Sequence, residues 1–301
     1  MVTDPGFPVP VDYVEEELLQ AGNNRLGILR LDRLHPEVSG NKWFKLRENI
    51  KAARAAGCSR LLTFGGAYSN HLAATAAAAH ALGMSSIGLV RGLHAAAKPT
   101  PTLEACRAWG MQLCFLSREE YAARTDARFL EDLQERFPGA FLIPEGGNNA
   151  YGLEGAAAIA GYIPPDADLV CLAIGTGTTF AGLRNGLPRH IAMRGFPVMK
   201  GGAYLQDVLE DKIHRPSGSW QLDANFHFGG FARHTPELIG FMNEFFRRHR
   251  VPLDFVYTAK MMYGVLARIR EKEIKENTHI VCIHTGGLQG NRSVSSLLSF
   301  N

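Results

Sequence analysis

The sequence predicts an α/β protein of two domains with mostly parallel sheets, and three features carry that expectation. The chain has 301 residues, more than one compact domain usually holds. Short apolar runs alternate with helical patterns along its length, the rhythm of strands covered by helices on both faces. Several of these runs end in a glycine-rich turn that leads into a helix, the place where open α/β sheets bind ligands. The composition, 46% apolar and 20% charged, is that of a globular protein and excludes disorder, collagen and coiled coil for the whole chain.

Taken in order, the strand candidates are RLLTFGG (60–66) before an alanine-rich stretch, SSIGLVRG (85–92), MQLCFL (111–116), AFLIPEGG (140–147), DLVCLAIG (168–175) and HIVCIHTGG (279–287). YIPPDAD (162–168) reads as a loop near a domain junction, and 200–202 and 214–218 break up a later region. No window offers about 18 strongly apolar residues, and MVTDPGFPVP lacks the basic and apolar parts of a leader, so a cytoplasmic location is expected. Cys58, Cys106, Cys114, Cys171 and Cys282 form no CxxC pair, which argues against a metal site and marks them as reduced core residues. A net charge of +3 is too small to mark nucleic acid or a membrane as partner, so any phosphate should be held locally.

Chemistry is therefore sought in the turns at 39–42, 65–71, 175–179 and 284–287. In IGTGTTFAGL (174–183) the amides of Gly175, Thr176, Gly177, Thr178 and Thr179, the threonine hydroxyls and a helix start near Thr179 make an anion cradle suited to a phosphate monoester. A Cβ at Gly177 would push such a phosphate from the amides. Phe180 stands where a dinucleotide fingerprint needs glycine or alanine, and the Gly-Lys-Ser/Thr of a triphosphate loop is missing. The same residues also serve a plain strand-to-helix turn with threonine caps.

SGNKWFKLRENIKAARAAG (39–57) predicts a helix starting near Asn41, which puts Lys42 in the first turn, where the dipole opposes its charge by about 0.3–1 kcal/mol. A covalently bound carbonyl cofactor would explain that placement, because an amine in a cationic, partly desolvated site loses its proton more readily. Lys45 and Lys51 read as solvated helix-face lysines, the ordinary reading for Lys42 too when taken alone. In GGAYSNHLAATAAAAHALG (65–83), Ser69 or Asn70 caps a helix whose free amides suit a substrate carboxylate. Ser69 is placed to relay protons and Asn70 to donate to a phenolic oxygen; His71 is an open candidate and His80 an ordinary histidine.

Read together and in order, GNKWFKL, YSNH, IPEGGNN (143–149), GTGTTFAGL, FVYTAKMMYG (255–264) and IHTGG resemble the 1-aminocyclopropane-1-carboxylate deaminase and D-cysteine desulfhydrase family over roughly residues 25–290. The resemblance implies the two-domain tryptophan-synthase β-like architecture, fold type II of the pyridoxal-phosphate enzymes. Each domain is then an open, mostly parallel sheet flanked by helices, with a small domain over 38–149 and a large cofactor-binding domain from 1–37 and 150–301. It implies pyridoxal 5'-phosphate as cofactor, Lys42 as the lysine that carries it, Asn70 near its phenolic oxygen and 175–179 as its phosphate cradle. Tyr257 then lies beside the cofactor ring, Thr258 or Thr285 faces the pyridine nitrogen, and two copies pair as a homodimer.

The chain departs from the family at the substrate end. Phe231 in GFA replaces the tyrosine of a GYG segment, and Tyr68 replaces a glutamine before SNH, which makes Tyr68, Ser69, Asn70, His71 and Phe231 the candidate substrate contacts. Thr258 stands where the deaminases have glutamate, which weakens the cofactor as an electron sink. The implied reaction on a small amino acid is β-elimination, as in a lyase, with Lys42 taking the Cα proton and a keto acid and ammonia as products. Ring opening of a cyclopropane amino acid, a hydrolase reaction, would use Tyr257 as nucleophile or acid. Phe231 favours a third possibility, a protein that binds pyridoxal phosphate or another phosphorylated ligand without turnover.

Overall fold

A computed structural model describes residues 9–214 and 216–300; most of the N-terminal stretch read for a leader lies outside these residues. The strands are β1 (Val11–Val14), β2 (Arg25–Leu29), β3 (Arg60–Gly65), β4 (Ser85–Arg91), β5 (Met111–Leu116), β6 (Ala140–Ile143), β7 (Leu169–Ile174), β8 (Ala192–Pro197), β9 (Trp220–Leu222) and β10 (His279–Ile283). They form a four-stranded sheet ordered β5-β4-β3-β6 and a six-stranded sheet ordered β1-β2-β10-β7-β8-β9. Every pairing is parallel except β1 with β2. No helix among the described residues is long and apolar enough to cross a membrane, and no group of three metal-ligating side chains comes together.

The chain divides into a smaller compact unit, His35–Val38 with Lys42–Gly155, and a larger one that holds Ser39–Asn41 and the rest. The boundaries differ by a few residues from those expected. Residues 39–41 go with the larger unit because Gly40 N donates to the Leu31 carbonyl at 3.0 Å and Ser39 Oγ to the Asp32 carbonyl at 3.2 Å. At the other crossing the division falls inside the helix Ala150–Ala157, upstream of the YIPPDAD loop.

In the smaller unit Leu62 and Phe64 of β3 and Ile87 and Leu89 of β4 face one way with Tyr121 and Leu133, at the period of two that a strand dictates. Val90 joins the opposite layer, where Leu72, Ala73 and Ala76 of the helix Asn70–Ala81 pack with Leu103 and Cys106. Alanine is what lets that helix bury so much of its surface. The larger core centres on β10, β7 and the helices Pro236–His249 and Thr258–Arg270. Phe180 is core, edge-on to Trp220 at 6.0 Å. Of the cysteines, Cys106, Cys171 and Cys282 are buried as expected, whereas Cys58 and Cys114 are half-exposed; all are free.

Candidate active site

β7 ends at Ile174, and after the turn Gly175–Thr176–Gly177 the helix Thr178–Gly186 begins, one residue before the expected start. The first amides of that helix have no partner within it. Gly177 has φ +81°, a left-handed conformation that costs a residue with a Cβ about 1–2 kcal/mol. A Cβ there would face Leu209 Cδ2 at 3.2 Å and Val208 at 3.7 Å rather than the open side of the turn, so the reason for glycine is backbone conformation and this packing. Thr178 and Thr179 are buried, Thr176 is exposed, and the Thr176 and Thr178 hydroxyls lie 3.1 Å apart.

Asn41, the residue before Lys42 in the chain, is bonded to this turn. Its Nδ2 donates to Thr179 Oγ1 at 2.8 Å and its backbone N to the Thr285 carbonyl at 3.3 Å. Gly40, at φ +69°, lies so close that a Cβ would collide with the Thr285 carbonyl oxygen. The turn 284–287 is held by a buried charge cluster. Arg30 donates to Asp32 at 2.8 and 2.6 Å, and His284 Nδ1 lies 3.3 Å from the same carboxylate. Burial alone would raise the Asp32 pKa, but Arg30 and His284 hold it below the usual carboxylate range.

Tyr257 precedes the helix Thr258–Arg270 and lays its ring on Gly175, where an added Cβ would stand 3.2 Å from the ring and 3.4 Å from the phenolic oxygen. Phe231, more than half exposed, meets it edge-on at 6.1 Å. Thr258 is fully buried, its hydroxyl donating to Asp254 Oδ2 at 2.7 Å and accepting from the Asp254 amide at 2.7 Å. Thr285, the other residue expected near a ring nitrogen, is half-buried.

In the smaller unit Lys42 is half-buried in the first turn of the helix Asn41–Ala55. Lys51 is solvated and pairs with Glu48 at 2.9 Å, as expected. Lys45 is not: it is 2% exposed and donates to the Gly146 carbonyl at 2.8 Å, so a carbonyl of the IPEGG turn replaces its water. Ser69 caps the helix Asn70–Ala81, accepting from the Leu72 amide at 3.3 Å. Asn70 Oδ1 is buried without a partner, and neither ring nitrogen of buried His71 has one within hydrogen-bonding geometry. Burial, then the charges of Lys42 and Lys45, hold His71 well below its ordinary value near 6.5, against a small opposing pull from the Pro144 backbone. Tyr68 is half-exposed and His80 exposed.

Sequence reasoning missed Lys45, Asn41, Asp254 and Lys260. The DFVYTAK spacing, an acid four residues before a threonine that opens a helix, was the available signal for Asp254. Each unit's residues fit pyridoxal phosphate. The larger offers a phosphate-sized array of helix-start amides and hydroxyls, and the smaller offers a half-buried amine at Lys42 and, at Asn70, a side-chain amide whose oxygen is left without a partner.

The family described as pyridoxal-phosphate dependent enzyme matches residues 16–286. The chain is 31% identical over 293 residues to a bifunctional D-cysteine desulfhydrase/1-aminocyclopropane-1-carboxylate deaminase, mitochondrial, of Arabidopsis thaliana, covering 88% of this chain and 73% of that protein. Among solved structures it is similar to an ACC deaminase homologue, with TM-score 0.82 and 25% identity over 97% of this chain and 94% of that one. Threonine deaminase isoform 2 from Solanum lycopersicum shares the fold, with TM-score 0.70 at 18% identity over 99% and 90% of the two chains.

Two outcomes are expected. Gly177→Val should weaken pyridoxal phosphate binding at least about tenfold in a fluorescence titration, since the turn must leave its left-handed conformation; unchanged affinity would place the phosphate elsewhere. For His71, the unfolded chain takes up a proton as pH falls through about 6.5 while the folded chain does not, so stability drops with pH. Urea unfolding should show a slope approaching about 1.4 kcal/mol per pH unit in excess of that of His71→Gln. Equal slopes would mean that His71 protonates in the folded state.

Proposed function

We propose that this chain, which belongs to the pyridoxal-phosphate dependent enzymes and within them to the D-cysteine desulfhydrase and 1-aminocyclopropane-1-carboxylate deaminase relatives, deaminates a small amino acid by β-elimination. The observation that carries the choice of reaction is the neutral setting of Tyr257. The residue after it is Thr258, whose hydroxyl is spent on Asp254, and the candidate left for the pyridine nitrogen is the uncharged hydroxyl of Thr285.

In this reading Lys42 would carry the cofactor, the amides and hydroxyls of 175–179 its phosphate, Asn70 its phenolic oxygen and Thr285 its ring nitrogen. When bound, pyridoxal phosphate supplies a sink for the electron pair left at the substrate Cα. Lys42 Nζ would move the Cα proton from the first turn of the helix Asn41–Ala55. Because His71 is held neutral, it adds no further charge against the amine. The first amides of the helix Asn70–Ala81 would bind the substrate carboxylate. Ser69 Oγ accepts from Leu72, which leaves its own proton available for transfer toward the substrate. Tyr68 and Phe231 would border the substrate, with the Tyr257 phenol as the nearer acid, since Phe231 has none to give. A homodimer, supported by the family resemblance, and a cytoplasmic location, expected from the sequence, are parts of the same proposal; ring opening, which would make the protein a hydrolase, is the second reaction to assay.

Lys42→Ala should fold normally by circular dichroism yet lose the visible absorbance band that borohydride abolishes in the natural protein. A reducible band in the variant would overturn the lysine assignment. The natural protein should turn over D-cysteine and aminocyclopropane carboxylate poorly, and Phe231→Tyr should raise one of the two by about 10²-fold, the usual worth of a placed acid or base. High activity on either compound that the variant leaves unchanged would show that Phe231 only packs. If neither protein acts on either compound, a panel of D- and L-amino acids with β-leaving groups is the next assay.

A further inference from the structure

Lys260, the third residue of the helix Thr258–Arg270, is completely buried. Its Nζ lies 2.8 Å from the His227 carbonyl, 2.7 Å from the Gly230 carbonyl and 3.4 Å from the Val198 carbonyl. An ammonium has three protons to donate, and three carbonyls surround it with no carboxylate among them. Burial pulls its pKa down to about 8, opposed by the charge of Asp254. A charge this deeply buried is costly to keep, so what it holds needs explaining.

What it holds is an unusual piece of backbone. In the segment after His227, φ is +48° at Phe228, +89° at Gly229, +115° at Gly230 and +53° at Ala232. Phe228 and Ala232 carry a Cβ that crowds the backbone in this left-handed conformation. The segment belongs to no strand or helix beyond this point and is closed by two turns, Gly230 N to the His227 carbonyl at 3.0 Å and Arg233 N to the Gly230 carbonyl at 3.1 Å. The carbonyls that close these turns are the same two that Lys260 binds most closely. The lysine therefore staples both turns from the helix that also begins beside Tyr257. Phe231 lies within the second of these turns, edge-on to the Tyr257 ring.

We propose that Lys260 is a positioning residue: by binding the His227 and Gly230 carbonyls it fixes the 227–232 segment, sets the edge of Phe231 against the ring of Tyr257, and so determines which amino acids fit beside that phenol. This rests on the functional reading above in placing Tyr257 and Phe231 at the substrate end. Lys260 touches the segment's backbone and acts on the substrate only through Phe231.

The test uses the pyridoxal-phosphate-loaded protein and its Lys260→Met and Lys260→Arg variants. Hydrogen exchange should be at least about tenfold faster across 227–234 in Lys260→Met, with strand β7 unchanged. Alanine, which has no β-leaving group, serves as a binding probe in both enantiomers through the shift of the visible band. Its affinity should fall about tenfold in Lys260→Met while cofactor affinity stays within about twofold, and Lys260→Arg should recover part of the loss. In a Phe231→Ala background Lys260→Met should cost no further alanine affinity. Natural exchange rates in Lys260→Met, an equal loss of alanine affinity with or without Phe231, or a parallel loss of cofactor would each overturn the proposal. If Lys260→Met does not fold, Lys260→Gln takes its place under the same criteria; if neither enantiomer shifts the band, exchange across 227–234 decides whether Lys260 holds the segment. Failure of the functional reading looks different: no panel amino acid would be turned over, while the exchange and alanine results stood.

Discussion

The carboxylate of Asp254, fully buried, accepts from the amides of Val256, Tyr257 and Thr258 at 3.0, 2.8 and 2.9 Å and from the Thr258 hydroxyl at 2.7 Å. These donors lie at the start of the helix Thr258–Arg270, where amides lack intrahelical partners and the dipole favours an anion. The larger unit's candidate residues depend on this cap. It turns the chain so that Tyr257, at φ −120° and ψ −71°, leaves the helix and meets Gly175. It ties up the Thr258 hydroxyl, and it sets the helix phase that buries Lys260 beneath the 227–232 segment. A charged cap does this better than a neutral one because each of its bonds is charge-assisted.

The two units divide the electrostatic work. In the smaller, burial and then the positive charges of Lys42 and Lys45 hold the His71 pKa down. In the larger, the turn after β7 offers partial positive charge from backbone amides and no side-chain cation, which suits a phosphate held by hydrogen bonds alone. Asn41 joins the two ideas through the covalent chain: it is bonded to Thr179 and to Thr285, and the next residue is Lys42.

Much of this was legible in the sequence. Strands β3, β4, β5, β6, β7 and β10 announce themselves as apolar runs because parallel strands are covered on both faces. β8 does not, since AMRGFP carries Arg194 and a glycine whose missing side chain makes room for Phe180; β9 has three residues, and β1 and β2 flank a turn-rich N-terminal region. Lys42 stood out because its position conflicts with the helix dipole, a local signal. Lys45 and Lys260 did not stand out. Their partners are carbonyls about a hundred and about thirty residues away, and no periodicity encodes a carbonyl brought from so far. The reason for glycine at 177 is legible only in the structure, since the side chains a Cβ there would meet, Leu209 and Val208, belong to the helix Leu205–Lys212.

The neutrality around Tyr257 also bears on which chemistry the proposed site suits. A carboxylate facing the pyridine nitrogen would keep it protonated and make the ring a strong electron sink, which a reaction with a poor leaving group requires. In the proposed reading Thr285 would offer a hydroxyl instead; of the buried carboxylates near these turns, Asp254 is saturated by four donors and Asp32 is paired with Arg30 and His284. With a hydroxyl rather than a carboxylate as the partner of its nitrogen, bound pyridoxal phosphate would supply a weaker electron sink, so the proposed site would suit substrates whose bond at Cβ breaks easily. Opening a strained ring without a prior Cα proton loss needs instead a placed nucleophile or acid. By the family resemblance Phe231 stands in place of a phenol at that end, and Tyr257 would serve alone. The neutral threonine and the missing phenol thus point the same way, toward substrates that carry their own leaving group rather than ones the protein must activate.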